Sequence, residues 1–452
     1  MAILENGGLG VQRRAGPGQS PGLRRFLSLW LVTLLGLTLA VAIFNAAVDP
    51  YGILGTPRVP GLTAEKSAAA DRPRLTKSYL VDRVDAQTLL LGSSNVDVGF
   101  NPASSAWPQS TQPVFNLAID GSLPGVLHRY LQHALIHSHP KLVILGLSLE
   151  DAMIMPQKRL AAADQALYGF EQRLHTTADG APNPGYLRAR LEDTLFAILS
   201  TQALTDSVLT LLRQHDPGRN AQTPMGRNTG GSFIRWTAAE GPRALVMVKD
   251  REKAPQYLIW AADPRLNVHP VADIIRLAHD HGAQVIVFIQ PSYVDQLEIL
   301  RQSGLTPAYN AWKTEVARTV AEASTPQDPV PLWDFSGYSP YTTESLPTPA
   351  VTTPLEWFWE PIHYREALAD LLIRRMLAPE AKDWANDLGV QITPATLPAH
   401  LAEIERQQRE WVATHQPDVD RIATIVDAAA HAICHAPIAG CPKPGPLTTT
   451  SR

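Results

Sequence analysis

Apolar and polar positions fall into three kinds of block along this chain. The first is one long apolar run at residues 26–48, FLSLWLVTLLGLTLAVAIFNAAV, in which no residue is charged. At about 1.5 Å per residue a helix of this length reaches roughly 34 Å, enough to cross a bilayer. The second kind is short and mostly apolar: residues 87–91, 114–118, 142–147 (LVILGL), 284–289 (QVIVFI) and 330–334. Apolar runs without alternation are what strands buried on both faces require. The third kind repeats apolar residues at helical spacing, at 124–137, 271–281, 308–322, a stretch ending near 377, 401–415 and 419–432. Strands separated by helices predict a three-layer α/β domain with a parallel sheet.

Regularity is lost at about 150–267, which reads as an insertion beside the core. Two helical stretches are expected there, near 157–173 and 186–213, followed by a polar glycine-rich loop at 215–232. The organisation expected is then a basic segment 1–25, the apolar helix 26–48, a connector 49–84 and the α/β domain 85–378. A helical appendage, 379–452, ends in a tail from 442 that reads as disordered.

Composition narrows the function. The 452 residues suffice for a sizeable core, and 38 prolines fit long ordered loops. A formal net charge of -4 gives no basic footprint for nucleic acid. Arg13, Arg14, Arg24 and Arg25 precede the apolar run and Asp49 follows it, so the positive-inside rule keeps the N-terminus cytoplasmic. A secretory signal has a shorter core, about 7–15 residues, so the run reads as an uncleaved single-pass anchor in an inner membrane. Cleavage at Ala46-Ala47 is the alternative. Residues beyond Asp49 are then periplasmic. Arg72, Arg74 and Lys77 read as a solvated helix face, with contact to anionic headgroups the alternative. The only cysteines, Cys434 and Cys441, are too few for a zinc site and are free to pair in an oxidising compartment.

Two stretches carry candidate chemistry. Leu89-Leu90-Leu91-Gly92-Ser93-Ser94 reads as a strand, a glycine turn and two serines. In open α/β sheets ligands bind at the carboxyl ends of strands, and a serine just after a turn there is placed like a nucleophile. Glu360-Pro361-Ile362-His363 can present a carboxylate and an imidazole to one site. The carboxylate would fix one tautomer and the imidazole would take a proton from a serine. Its plainer reading is a helix N-terminus, with Glu360 in the first turn and Pro361 at the first helical position. Trp357 and Trp359 flank this loop, and Asp334, in the stretch 333–338, is a second-choice partner for His363. His128, His133, His137 and His139 fall on one helix, with His133 and His137 one turn apart. No carboxylate lies at suitable spacing, so a solvated face is expected and neither metal nor cofactor.

A serine turn after the first strand, a glycine turn after the second and a late Glu-x-x-His together resemble the SGNH (GDSL-like) hydrolase superfamily. The likeness covers roughly residues 85–150 and 270–378. It points to the membrane-anchored bacterial branch, with proteins like those of D-alanyl transfer to teichoic acid and alginate O-acetylation. The resemblance implies a flavodoxin-like fold and a serine esterase or O-acyltransferase acting on O-acyl groups of a cell-envelope glycan. A membrane acyltransferase is the implied partner. It maps the nucleophile to Ser94, an oxyanion-binding amide to Gly121 within Asn116-Leu117-Ala118-Ile119-Asp120-Gly121, the base to His363 and its orienter to Glu360. Two departures stand out. The third block, normally Gly-x-Asn-Asp, reads Gly146-Leu147-Ser148-Leu149, leaving Ser148 as the candidate oxyanion donor. Glutamate also replaces the usual aspartate at 360. A catalytically inactive glycan-binding or scaffold domain is therefore the alternative.

Overall fold

The structure is a computed structural model and describes residues 21–153, 170–380, 388–434 and 448–449. Its centre is a six-stranded sheet. The strands are β1 (Thr88–Leu91), β2 (Val114–Asn116), β3 (Leu142–Leu147), β4 (Gln284–Ile289), β5 (Leu332–Asp334) and β6 (Val390–Ile392). Their order is β2-β1-β3-β4-β5-β6; the first five are parallel and β6 is antiparallel. The order reverses between β1 and β3, where the carboxyl ends of open α/β sheets form their binding crevice.

The apolar runs are explained by two cores. Leu89, Leu91, Val143, Leu145, Val285 and Val287 face one, shared with helices Pro124–Ala134, His269–Asp280 and Thr306–Ala323. Leu90, Ile144, Ile286 and Phe288 face the other, shared with helix Glu366–Leu377 and a set of aromatic rings. Each buried leucine of β1 contributes about 1.5–3 kcal/mol.

Three expectations change. The described residues 388–434, expected as an appendage, pack onto the α/β domain. They supply β6, and Ile392, Leu397 and Ile422 enter the first core while Trp411 and Val419 enter the second. Arg421 anchors the last helix, Gln416–Cys434, through Asp295 at 2.7 Å and Asp250 at 3.2 Å. Periodicity revealed the helices but could not reveal their partners. The stretch read as one helix at 186–213 is two, Tyr186–Leu199 and Thr201–Leu212, meeting at 61°. Ser200 caps the second by accepting the Ala203 N–H at 3.0 Å. Region 150–267 also holds helices Gly231–Glu240 and Pro242–Ala262. The helix expected at 157–173 lies outside the described residues, apart from a turn at Glu171–Arg173. Most of the tail from 442 lies outside them too. Cys434 is disulfide-bonded; Cys441 is not among the described residues.

The apolar helix runs Pro21–Val48, and its large side chains from Leu23 to Ile43 are exposed. Its burial comes in the last two turns, where Asn45 and Val48 are enclosed. There Lys66 Nζ donates to the Val48 carbonyl at 2.5 Å, and Asp49 accepts the N–H of Gly55 at 2.9 Å.

Candidate active site

Two glycines seat the short helix Ser94–Gly99 on the sheet. A Cβ at Gly92 would stand 2.9 Å from Val96 Cβ, and one at Gly146 would stand 2.7 Å from Val96 Cγ2. Only glycine on β3 and in the β1 turn lets Val96 sit this close. A third clamp comes from Lys77. Its ammonium is fully buried, 2.7 Å from Asp97 Oδ1 on the same helix, and it also donates to the Ala118 carbonyl. Burial pushes the Asp97 carboxyl up to about 7 against the pull of Lys77. Lys77 therefore does not lie on a solvated face. It ties the β1 helix to the β2 loop, whose Ile119 N–H donates to the Gly92 carbonyl at 2.9 Å.

The two serines separate. Ser93 is buried and its hydroxyl lies 3.5 Å from Asp151 Oδ2. Ser94 is half-buried, and its Oγ is 2.7 Å from His363 Nε2.

His363 stands on a hairpin. Trp359 N–H donates to the His363 carbonyl at 2.9 Å, and Arg365 N–H to the Trp357 carbonyl at 2.8 Å. The helix beyond begins only at Glu366, so Glu360 and Pro361 are not its first turn. Glu360 is 2% exposed. One of its oxygens bonds His363 Nδ1, and the other accepts the Ile362 N–H at 2.9 Å. The longer glutamate side chain thus spans to the imidazole and is itself held. Burial raises the Glu360 carboxyl, but the charge and hydrogen bond of His363 outweigh this and leave it below its ordinary range. An ionised carboxylate only accepts, so Nδ1 carries the imidazole proton. Nε2 is left with a lone pair on the Ser94 hydroxyl. Such a chain can deprotonate the serine as it attacks an electrophilic carbon.

One wall of the site was not foreseen. The Phe233 ring, from helix Gly231–Glu240 in the insertion, lies 5.1 Å from His363 and stacks on Trp359 at 5.9 Å. The preceding loop is locked down: Asn228 N–H donates to Asp97 Oδ1 at 3.0 Å, and Arg227 pairs with Glu366 at 2.8 Å. The density of glycines in TPMGRNTGGS was the available signal. Gly226 packs with its Cβ position 3.0 Å from Phe115.

Neither protein-family models nor curated proteins match the chain.

Other candidates fall elsewhere. The Ser148 hydroxyl donates to Asp151 Oδ2 at 2.8 Å and its N–H does so at 2.9 Å, a capping box for Leu149–Ala152. Ser148 lines a neighbouring cleft with Glu150, Tyr257, Gln290 and Gln296, a cleft bordered by neither Ser94 nor His363. Gly121 is an exposed turn with φ +61°, open where a Cβ would stand. Asp334 pairs with Lys313 at 2.7 Å and His400 at 3.1 Å rather than with His363. Trp333 and Phe335 belong to the second core. Trp357 packs edge-on against Tyr341 at 5.2 Å.

The histidine helix also differs from expectation. His133 is fully buried and does meet a carboxylate, Asp82, which no spacing along the helix could show. Asp82, His133 and His175 are close enough to be considered for a metal ion. Yet His133 Nδ1 accepts the His175 N–H at 3.0 Å, and Nε2 lies 2.7 Å from the Ser78 carbonyl. Both ring nitrogens of His133 are engaged with backbone, leaving no lone pair for a cation. The group is a hydrogen-bonded tie between three segments.

Proposed function

We propose that this chain is a membrane-anchored serine esterase or O-acyltransferase of the SGNH (GDSL-like) kind, acting on O-acyl groups of a cell-envelope glycan from the periplasmic side. The observation that carries the reading is the line Ser94 Oγ, His363 Nε2, His363 Nδ1, Glu360, with its 2.7 Å serine–imidazole contact. Three others support it. The strand order 2-1-3-4-5 is that of flavodoxin-like sheets. Ser94 follows β1 beside the switch point. The apolar helix has the length of a span, with Arg24 and Arg25 at its outset.

On this reading Ser94 attacks an ester carbonyl as His363 Nε2 takes its proton. The Ser94 amide holds the oxyanion; a second amide, that of Gly121, enters only through the resemblance, since Gly121 stands in an exposed turn. His363 returns the proton to the departing alcohol, leaving an acyl-Ser94. Water or a sugar hydroxyl then gives its proton to His363 and takes the acyl group, and His363 returns that proton to Ser94 Oγ. The aromatic pair Phe233 and Trp359 offers faces on which a sugar ring can stack.

One observation favours the second reading, an inactive glycan-binding scaffold. The Ser148 hydroxyl is committed to Asp151, so the third block contributes no free side-chain donor. Losing one such donor lowers rate by roughly 10²–10³. The experiment is hydrolysis of p-nitrophenyl acetate by the full chain in detergent. An enzyme releases nitrophenol, and both Ser94→Ala and His363→Ala stop it. Release that neither substitution changes contradicts the enzyme reading. No release, with retained binding of acetylated glycan, selects the scaffold.

A further inference from the structure

Helix Tyr186–Leu199 is turned inside out. Leu187, Leu191, Leu195 and Leu199 recur every four residues on one face and are 78%, 59%, 43% and 45% exposed. The opposite face, Ala189, Asp193 and Ala197, is buried. Asp193 is held there by the Tyr79 hydroxyl at 2.7 Å and by Arg173 at 2.7 Å. An ordinary surface helix does the reverse, hiding leucines and exposing charge. Its neighbour Thr201–Leu212 repeats the pattern, with Val208 and Leu212 exposed and Ala203, Ser207 and Thr210 buried.

The elbow between these helices is clamped to the apolar helix at one level. Asn45 Nδ2 donates to the Ile198 carbonyl at 3.1 Å, and the Ser207 hydroxyl donates to Asn45 Oδ1 at 2.9 Å. Just beyond, Tyr51 donates to Asp206 at 2.6 Å and stacks on Phe196. Asn45 lies one turn before the end of the apolar run. In a bilayer crossed by residues 26–48 it sits at the outer edge of the hydrocarbon, and the leucines are carried at that depth. Asp193 and Asp206, held by Tyr79 and Tyr51, and the Arg188–Glu192 pair beside the leucines make a crossing by the bent pair costly.

We propose that helices Tyr186–Leu199 and Thr201–Leu212 lie on the outer face of the bilayer that the anchor crosses, with the Leu187, Leu191, Leu195 and Leu199 stripe immersed among the lipid chains. This rests on the anchor reading above. The occupant is lipid because both helices pack against the anchor itself, at the end where Asn45 holds Ile198 and Ser207. The stripe fixes the tilt of the α/β domain, so that Ser94 is held at one height and angle above the membrane instead of swinging on a tether.

Nanodiscs test it with the full chain. Among the described residues no cysteine is free, so one introduced thiol takes the environment-sensitive dye. Dyes are placed at Leu187→Cys, Leu191→Cys and Leu195→Cys, with Leu31→Cys as the anchor reference and Thr353→Cys as the exposed reference. Lipids carrying a quencher high on the acyl chain should dim all three stripe dyes and the Leu31 dye by half or more, and leave the Thr353 dye unchanged. If the Leu31 dye is dimmed and the stripe dyes are not, the docking proposal fails while the anchor stands. If none is dimmed, the anchor reading fails first and takes the proposal with it. Stripe dyes that shift to the blue without dimming are covered by protein, a second copy or a partner, and that also overturns the proposal.

Discussion

His363 and His133 are enclosed imidazoles with acidic neighbours, and they differ in what the second ring nitrogen faces. At His363, the Nδ1 N–H donates a hydrogen bond to Glu360, and Nε2 meets a serine hydroxyl at 2.7 Å. At His133, Nδ1 accepts a backbone N–H at 3.0 Å, and Nε2 meets a backbone carbonyl at 2.7 Å. Access differs as well: the His363 side chain is 14% exposed and that of His133 is not exposed at all. A carboxylate beside a histidine therefore identifies nothing by itself. The free lone pair, its direction and the hydroxyl it points at are what the proposed reaction requires of one group, and their absence leaves the other a structural tie.

The contrast breaks first on activity. Ser94→Ala or His363→Ala should lower kcat/KM for p-nitrophenyl acetate by roughly 10⁴, whereas His133→Leu should leave the rate per folded molecule within about threefold. An equal loss in His133→Leu would erase the distinction. Next comes the tautomer. Glu360→Gln can donate to Nδ1 as well as accept, which turns the Nε2 proton onto Ser94; a loss of up to roughly 10⁴ in kcat is expected.

The third prediction concerns stability and belongs to His133. Burial pushes its imidazole down from 6.5 to about 4. Between these values the unfolded chain binds a proton that the folded chain does not. Stability is therefore full above pH 6.5 and falls as pH drops toward 4, by on the order of 3 kcal/mol. Denaturant unfolding at the two ends of this window measures the drop, and His133→Leu should flatten it. A slope identical in the variant assigns the acid loss to other groups. The smallest effect is expected at the aromatic wall. Phe233→Ala should raise KM for an acetylated glycan about threefold to tenfold with kcat little changed. A fall in kcat alone would place Phe233 in the service of His363 instead.

Much of this was legible in the residues. The apolar runs located β1 to β5 because strands buried on both faces admit few polar residues. Gly92, the serines and the Glu-x-x-His stretch marked the groups that the fold brings together. The rest depended on contacts distant along the chain. Nothing near His133 announces Asp82, and nothing near Phe233 announces His363. Lys77, read as solvated from its basic neighbours Arg72 and Arg74, is buried because Asp97 lies opposite it. β6 was missed because Val390–Ile392 is a three-residue edge strand, too short for any period to show.

The central claim is that Ser94 is a nucleophile activated by His363. Treating the full chain with a fluorophosphonate and locating the adduct by peptide mass spectrometry tests it most directly. One phosphonylated residue is expected, Ser94, with labelling abolished in His363→Ala and retained in His133→Leu. No adduct, an adduct on Ser93 or elsewhere, or labelling of Ser94 that survives His363→Ala would contradict it.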